Sequence, residues 1–207
     1  MTRIQPSKIV CVGRNYAKHA AEMGNDVPTE PLIFLKPPSA VISAGDPIVM
    51  PRGVGRVDYE GEIGVVIGKR ARNVAAADAW DHVEAIVAVN DVTARDLQNS
   101  DDQWTRAKGF DTFCPVGTPV PLADVDVEAL AVTTRVNGEV RQHGVVSDMA
   151  YDIPAILAYI TSIMTLEPGD LVATGTPDGI GPLTPGDRVE IEVSGVGSVA
   201  NPVVAGS

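Results

Sequence analysis

The chain has 207 residues, 44% hydrophobic and 21% charged, which is the balance of an ordinary globular protein with room for one well-filled core. Its formal net charge of −11 argues against nucleic acid or an anionic membrane as a partner, because both require a basic face. No stretch approaches a membrane span and residues 1–11 lack an apolar run of signal-peptide length, so a single cytoplasmic domain over residues 1–207 is expected. Cys11 and Cys114 sit among apolar residues and are expected as buried thiols rather than a disulfide.

Taken in order, Lys8 to Val12 reads as a short buried strand ending at Gly13. Arg14 to Gly24 is alanine-rich and closed by glycine, which predicts a helix of about two turns. His19 and Glu22 are neighbours on one face of that helix. A carboxylate at one imidazole nitrogen fixes the tautomer and makes the other nitrogen a general base; the same pair on a helix surface does no chemistry. Leu32 to Leu35 is an apolar run stopped by Lys36-Pro37-Pro38, as expected of an edge strand or one that ends abruptly. Ala44-Gly45-Asp46, Pro168-Gly169-Asp170 and Pro185-Gly186-Asp187 are variants of one turn, and they favour a sheet-rich fold.

Val57 to Ile67 is the most informative stretch. Ile63, Val65, Val66 and Ile67 suit a buried strand. If that strand extends back to Val57, alternation places Asp58, Glu60 and Glu62 on one face. Carboxylates crowded in this way either point to water or are gathered by a hard divalent cation. Asn73 to Ala85 carries an alanine-rich helical pattern, with Trp80 as a core anchor and His82 as structural. Ile86 to Val89 reads as a buried strand running into Asn90-Asp91, where Asp91 either joins Glu60 and Glu62 or caps a helix from Thr93.

Arg95 and Gln98 share one side of the next helical turn, and residues 99–106 read as a loop. Lys108 lies between small residues, either partly desolvated and ready to pair with a substrate anion or on the surface. Val132, Thr134 and Val136 alternate into Asn137-Gly138, a hairpin signal, with His143 on the surface beyond it. Asp152 and Pro154 open a helix whose apolar stripe is Ile156, Ile160, Ile163 and Met164. Leu171 to Thr174 is again a strand. The loop Gly175 to Gly181 offers backbone N–H groups and the Thr176 hydroxyl to an anion, or is a plain turn. Arg188 to Val193 alternates cleanly, and the whole reads as an α+β, mainly β fold with a few short helices.

Six pieces in a fixed order carry a resemblance. They are Gly13-Arg14-Asn15-Tyr16 with His19 and Glu22; Phe34-Leu35-Lys36-Pro37; Asp58-Tyr59-Glu60-Gly61-Glu62; Asn90 through Asp96; Lys108 with Asp111 to Pro115; and Gly175-Thr176-Pro177 through Gly181. Together they resemble the fumarylacetoacetate hydrolase family, in particular its short members with acylpyruvate hydrolase and oxaloacetate decarboxylase activity. The resemblance implies a mixed β-roll or β-sandwich core and a homodimer. It implies Glu60, Glu62 and Asp91 as ligands of Mg²⁺ or Mn²⁺, and His19 with Glu22 as a water-activating dyad on a helix that closes as a lid in relatives. It implies Lys108 as the group stabilising negative charge, and Arg14, Tyr16, Arg95, Gln98 and Thr176 as contacts to a small 2-oxo acid. The expected activity is metal-dependent hydrolysis of the C–C bond of acylpyruvates to pyruvate and a carboxylic acid, with oxaloacetate decarboxylation at the same site. The alternatives are an isomerase or decarboxylase of 2-hydroxymuconate-type dioic acids and a non-catalytic metal-binding protein.

Overall fold

The apolar runs of the chain pair into two main sheets that bury a common core. The computed structural model describes residues 5–206. A six-stranded sheet has the order Val120–Pro121, Val83–Asn90, Gly61–Ile67, Leu171–Ala173, Ile9–Gly13, Leu32–Lys36. Its neighbours are antiparallel except Ile9–Gly13 beside Leu171–Ala173. Leu32–Lys36 lies at the edge, where the prolines that follow it cost no ladder hydrogen bond. A five-stranded sheet runs Glu139–Val145, Ala131–Val136, Arg188–Val193, Gly197–Ala205, Ile48–Met50, antiparallel except for the last pair.

Strand alternation divides the core. Ile63, Val65 and Ile67 point one way and cluster with Val132, Val189, Ile191, Val193 and Val199 of the five-stranded sheet. Val66, Val87, Val89 and Cys11 point the other way and form a second buried cluster with Cys114. Burial on both faces is why the sequence here is a near-continuous apolar run instead of an alternating one. Burial also pushes both free thiols up, Cys114 to about 12, so neither is a thiolate at neutral pH. Among the described residues no helix is long and apolar enough to cross a membrane.

Local signals hold where the chain decides its own geometry. Asn137 and Gly138 both have positive φ, 53° and 84°, as a two-residue type I′ hairpin requires. The Asp152 carboxylate caps the helix Ile153–Ile163 by accepting from Ala155 N at 2.8 Å. Of the expected stripe, Ile156 and Ile160 are buried together with Ile153 and Leu157, and Met164 packs against the same core; Ile163 alone turns outward, 49% exposed. The alanine-rich segment Asn73 to Ala85 is no α-helix. It holds a 3₁₀ segment, Ala76–His82, and then enters the sheet at Val83. Pairing of Val83 and Ala85 with Ile67 and Val66 overrides alanine's local preference.

The three Gly-Asp turns share a device: Asp46, Asp170 and Asp187 each accept from the backbone N–H three residues earlier, at 2.9, 2.8 and 2.7 Å. Asp170 does more. It also accepts from Ser7 N at 3.0 Å, Ser7 Oγ at 2.6 Å, Lys8 N at 3.1 Å and the Lys8 ammonium, and so staples the first strand to the sheet. Asp170→Asn is expected to lower the unfolding free energy at pH 7 by about 2–3 kcal/mol, because donors to a buried carboxylate lose a charged acceptor. Burial alone would raise this carboxyl, but the donors outweigh it and hold it below its ordinary value. The stabilisation is therefore present above the unfolded-state value of about 3.9 and is lost as pH falls through the lower folded-state value. Urea titrations of both proteins at neutral and acidic pH should show the gap closing on acidification; a widening gap would contradict the assignment.

Candidate active site

The stretch Val57 to Ile67 divides at Glu60. Val57–Tyr59 pairs with Gly181–Pro182 and Thr93–Ala94 in a three-stranded sheet, while Gly61–Ile67 belongs to the six-stranded one. Asp58 thereby leaves the acidic face expected for it and accepts from Arg95 Nε at 2.9 Å and Arg56 Nε at 2.6 Å. Glu60 stays with Glu62. Its N–H donates to Asn90 Oδ1 at 3.0 Å, and its carbonyl accepts from Asp91 N at 2.8 Å. Gly61 pairs with Asn90 and Glu62 with Val89, so Asp91 lies opposite Glu60 one step beyond the ladder. All three side chains are buried, with one carboxylate oxygen of each within 4.8 Å of the others. Asp91 is not a helix cap: the helix Arg95–Ser100 starts after Ala94 with no side-chain cap.

Three cations surround this triad. Lys108 Nζ is 2.7 Å from both Glu60 Oε2 and Asp91 Oδ2. Lys36 Nζ is 2.6 Å from Asp91 Oδ1 and 3.1 Å from the Val92 carbonyl. Arg95 donates to Glu60 Oε1 and, through its third nitrogen, to Gln98 Oε1. Burial would raise the Glu60 carboxyl, but Lys108 and Arg95 outweigh it and hold Glu60 well below the usual carboxylate range. Burial would likewise lower Lys108, yet Asp91 and Glu60 reverse this and raise it.

Glu62 is different. Among the described residues it forms no ion pair, and its one hydrogen bond comes from Gly175 N at 2.8 Å. Burial first, and then the charges of Asp91 and Glu60, push its carboxyl well above the ordinary value. Gly175 reaches it at φ +101°, where a Cβ would stand 2.7 Å from Asn15 Cβ. A buried carboxylate with two acidic neighbours and no cation of its own is what a divalent ion completes. The donor set is all hard oxygen, which suits Mg²⁺ or Mn²⁺.

His19, on the helix Ala17–Glu22, is buried beside the triad. Its Nδ1 lies 3.5 Å from Glu22 Oε2 and makes no hydrogen bond among the described residues. Glu22 itself sits near the surface and accepts from Gly179 N at 3.2 Å. Burial lowers the imidazole below its ordinary value against the pull of Glu60, so at pH 7 it is neutral and able to take a proton.

His19, Lys108, Arg14, Arg95, Gln98, Thr176 and the three acids all line one cleft of about 260 Å³. Glu22 stands behind His19. Tyr16 borders a separate concavity with His143 and Asp178, and its buried hydroxyl has no hydrogen-bond partner among the described residues. Thr176 donates its hydroxyl proton to the Gly61 carbonyl at 2.9 Å, so that proton is committed to the protein.

Four residues of the site receive no role from the sequence, although Phe34 and Lys36 fall within one of the pieces that carry the resemblance. Lys36 looks like a strand end, and Phe34 like edge-strand filler. Trp104, in the segment expected as a loop, packs edge-on to Phe34 at 5.2 Å just before a short helix, Thr105–Lys108. Gln142, beyond the hairpin turn and without a sequence signal of its own, has a saturated amide. It donates to Thr176 Oγ1 and the Pro177 carbonyl at 2.8 Å each, and accepts from Gly61 N at 3.0 Å and Thr134 Oγ1 at 2.8 Å. It therefore holds the Thr176 loop against the acidic strand. Gln142→Leu is expected to cost about 2–3 kcal/mol in stability, since it strands buried partners, and to raise KM more than it lowers kcat. Urea unfolding and steady-state kinetics check both parts; an unchanged KM would remove the positioning role.

The profile described as fumarylacetoacetate (FAA) hydrolase C-terminal matches residues 8–204. The mitochondrial oxaloacetate tautomerase FAHD1 of Arabidopsis thaliana is 44% identical over 200 residues, covering 94% of this chain and 90% of that protein. The crystal structure of 5-carboxymethyl-2-hydroxymuconate delta-isomerase from Mycobacterium smegmatis superposes with a TM-score of 0.91 at 45% identity, covering 99% of this chain and 81% of that one. Fumarylpyruvate hydrolase from Pseudomonas aeruginosa, solved in complex with Mn²⁺ and pyruvate, gives a TM-score of 0.90 at 33% identity, covering 96% and 90%. A match over nearly the whole length, on a mainly β scaffold whose acidic strand and strand-end aspartate converge in a cleft, places the chain among the enzymes of the fumarylacetoacetate hydrolase family.

Proposed function

We propose that this chain is a Mg²⁺- or Mn²⁺-dependent hydrolase that cleaves acylpyruvates to pyruvate and a carboxylic acid, and that the same site decarboxylates oxaloacetate. The observation that carries the reading is the opening of three buried carboxylates and a neutral histidine into one small cleft. Glu60, Glu62 and Asp91 would hold a divalent cation, which when bound would supply Lewis-acid positive charge to a 2-oxo acid. His19 takes a proton from water, with the Glu22 carboxylate beside Nδ1 to stabilise the imidazolium. The water oxygen bonds to C4 of the acylpyruvate, and the C3–C4 bond breaks with its electron pair left on the pyruvate fragment as an enolate. Lys108 and Arg95, charged at neutral pH and lining the cleft, face that negative charge until C3 takes a proton, which balances the one His19 accepted from water and restores the neutral imidazole. Oxaloacetate reaches the same enolate by losing CO₂ and needs no activated water.

A second reading, isomerisation of 2-hydroxymuconate-type dioic acids, is favoured by one feature: the His19–Glu22 pair is not closed into a hydrogen bond, and a tautomerisation needs only a base and a stabilised enolate. The similarity to the Mycobacterium smegmatis isomerase supports it as well. Acetylpyruvate, oxaloacetate and a hydroxymuconate, each assayed with EDTA, Mg²⁺ and Mn²⁺, separate the two. Metal-dependent release of pyruvate and acetate from acetylpyruvate is expected; turnover of the hydroxymuconate alone would replace the hydrolase reading. The proposal includes a homodimer, supported by the open edge strand Leu32–Lys36, on which Leu35 is 48% exposed. Light scattering should give twice the 21.7 kDa chain mass.

A further inference from the structure

The loop Gly175 to Gly181 is pinned at two places. Gln142 holds Thr176 and Pro177. Further along, Tyr59 donates its hydroxyl proton to the Gly179 carbonyl at 3.0 Å. Tyr59 precedes Glu60 in the chain but borders a different concavity, with Arg141 and Pro182. The loop is bare where it is pressed. Gly181 pairs with Tyr59 in the three-stranded sheet, and a Cβ there would stand 2.8 Å from the tyrosine hydroxyl. Gly179 has φ +92°, and a Cβ there would stand 2.2 Å from the Arg141 carbonyl oxygen. Glycine at both positions lets the loop close down on Tyr59 and on the strand Glu139–Val145. The other polar group of Gly179 faces the dyad: its N–H donates to both oxygens of Glu22, at 3.3 and 3.2 Å. Glu22 ends the helix Ala17–Glu22, its side chain is 35% exposed, and among the described residues it pairs with no lysine or arginine. A carboxylate so placed has several rotamers open to it. The Gly179 N–H selects the one that sets Oε2 3.5 Å from His19 Nδ1.

We propose that Tyr59 is a positioning residue for the His19–Glu22 pair. By fixing the Gly179 carbonyl it fixes the N–H of the same residue, and through that N–H the Glu22 carboxylate. This rests on the hydrolase reading, in which Glu22 stabilises the imidazolium formed when His19 takes a proton from water. Tyr59 touches neither substrate nor the reacting atoms. Its hydroxyl removes the freedom of a loop whose glycines would otherwise let the Gly179 N–H turn away from Glu22.

The test uses Tyr59→Phe, which removes one hydroxyl and keeps the ring, alone and in a Glu22→Ala background. With the full chain and Mg²⁺, acetylpyruvate hydrolysis is expected to lose about threefold to tenfold in kcat at unchanged KM, the weight of one neutral hydrogen bond. Oxaloacetate decarboxylation, which needs no activated water, should fall by less than about twofold on the same scale. In the Glu22→Ala background Tyr59→Phe should cost hydrolysis nothing further, because its effect passes through the missing carboxylate. Amide hydrogen exchange in residues 175–181 should quicken in Tyr59→Phe, a readout independent of turnover. A fall of both activities by the same factor, a further loss in the Glu22→Ala background, or an unchanged kcat or exchange rate overturns the inference and leaves the hydrolase reading standing. Wild type that does not hydrolyse acetylpyruvate removes that reading, and this role of Tyr59 with it.

Discussion

Glu62→Gln is expected to abolish metal-dependent turnover while leaving the metal-free protein at least as stable as wild type. The two halves have one cause. Glu62 is the triad member without a cationic partner, crowded by Glu60 and Asp91 in a buried setting. Neutralising it relieves like-charge repulsion and removes an oxygen donor that a divalent ion needs. Thermal unfolding separates these effects. Wild type should be stabilised by added Mn²⁺, by about 2.7 kcal/mol at a hundred times its Kd, and Glu62→Gln should show no such gain. A variant that keeps full turnover, or that melts far below metal-free wild type, would contradict this account of Glu62.

The second large effect is expected from His19→Ala. General-base catalysis contributes about 10² to 10⁴ in rate, and acylpyruvate hydrolysis should fall by that factor while Mn²⁺ affinity is retained. Oxaloacetate decarboxylation should fall much less, because loss of CO₂ needs no water to be deprotonated. The ratio of the two activities is therefore the informative quantity. If both fall equally, His19 is not the water-activating base; if Mn²⁺ affinity falls with them, its role is structural support of the triad.

How much of this site was legible depended on how local each residue's reason is. Glu60 and Glu62 could be placed together because alternation along a strand is local, and Asp91 because it follows a buried strand immediately. The same alternation failed for Asp58, since it assumes one strand where the chain changes sheets at Glu60. Lys36 meets Asp91 across 55 residues, and Gln142 meets Gly61 across 81, so nothing near either in sequence announces its partner. The hairpin at Asn137-Gly138 and the cap at Asp152 were readable because each turn is dictated by its own residues. The stretch Asn73 to Ala85 was not, because sheet pairing at Val83 and Ala85 outweighs the propensity of a few alanines.

A cation held by Glu62 on its strand, by Glu60 just before it and by Asp91 just past the neighbouring strand is the central claim, and titration of the full chain with Mn²⁺ by calorimetry tests it directly. Wild type should bind one ion per chain, and a variant carrying Glu60→Gln, Glu62→Gln and Asp91→Asn should bind none. Stoichiometric binding that survives in the triple variant, or its absence from wild type, would contradict it.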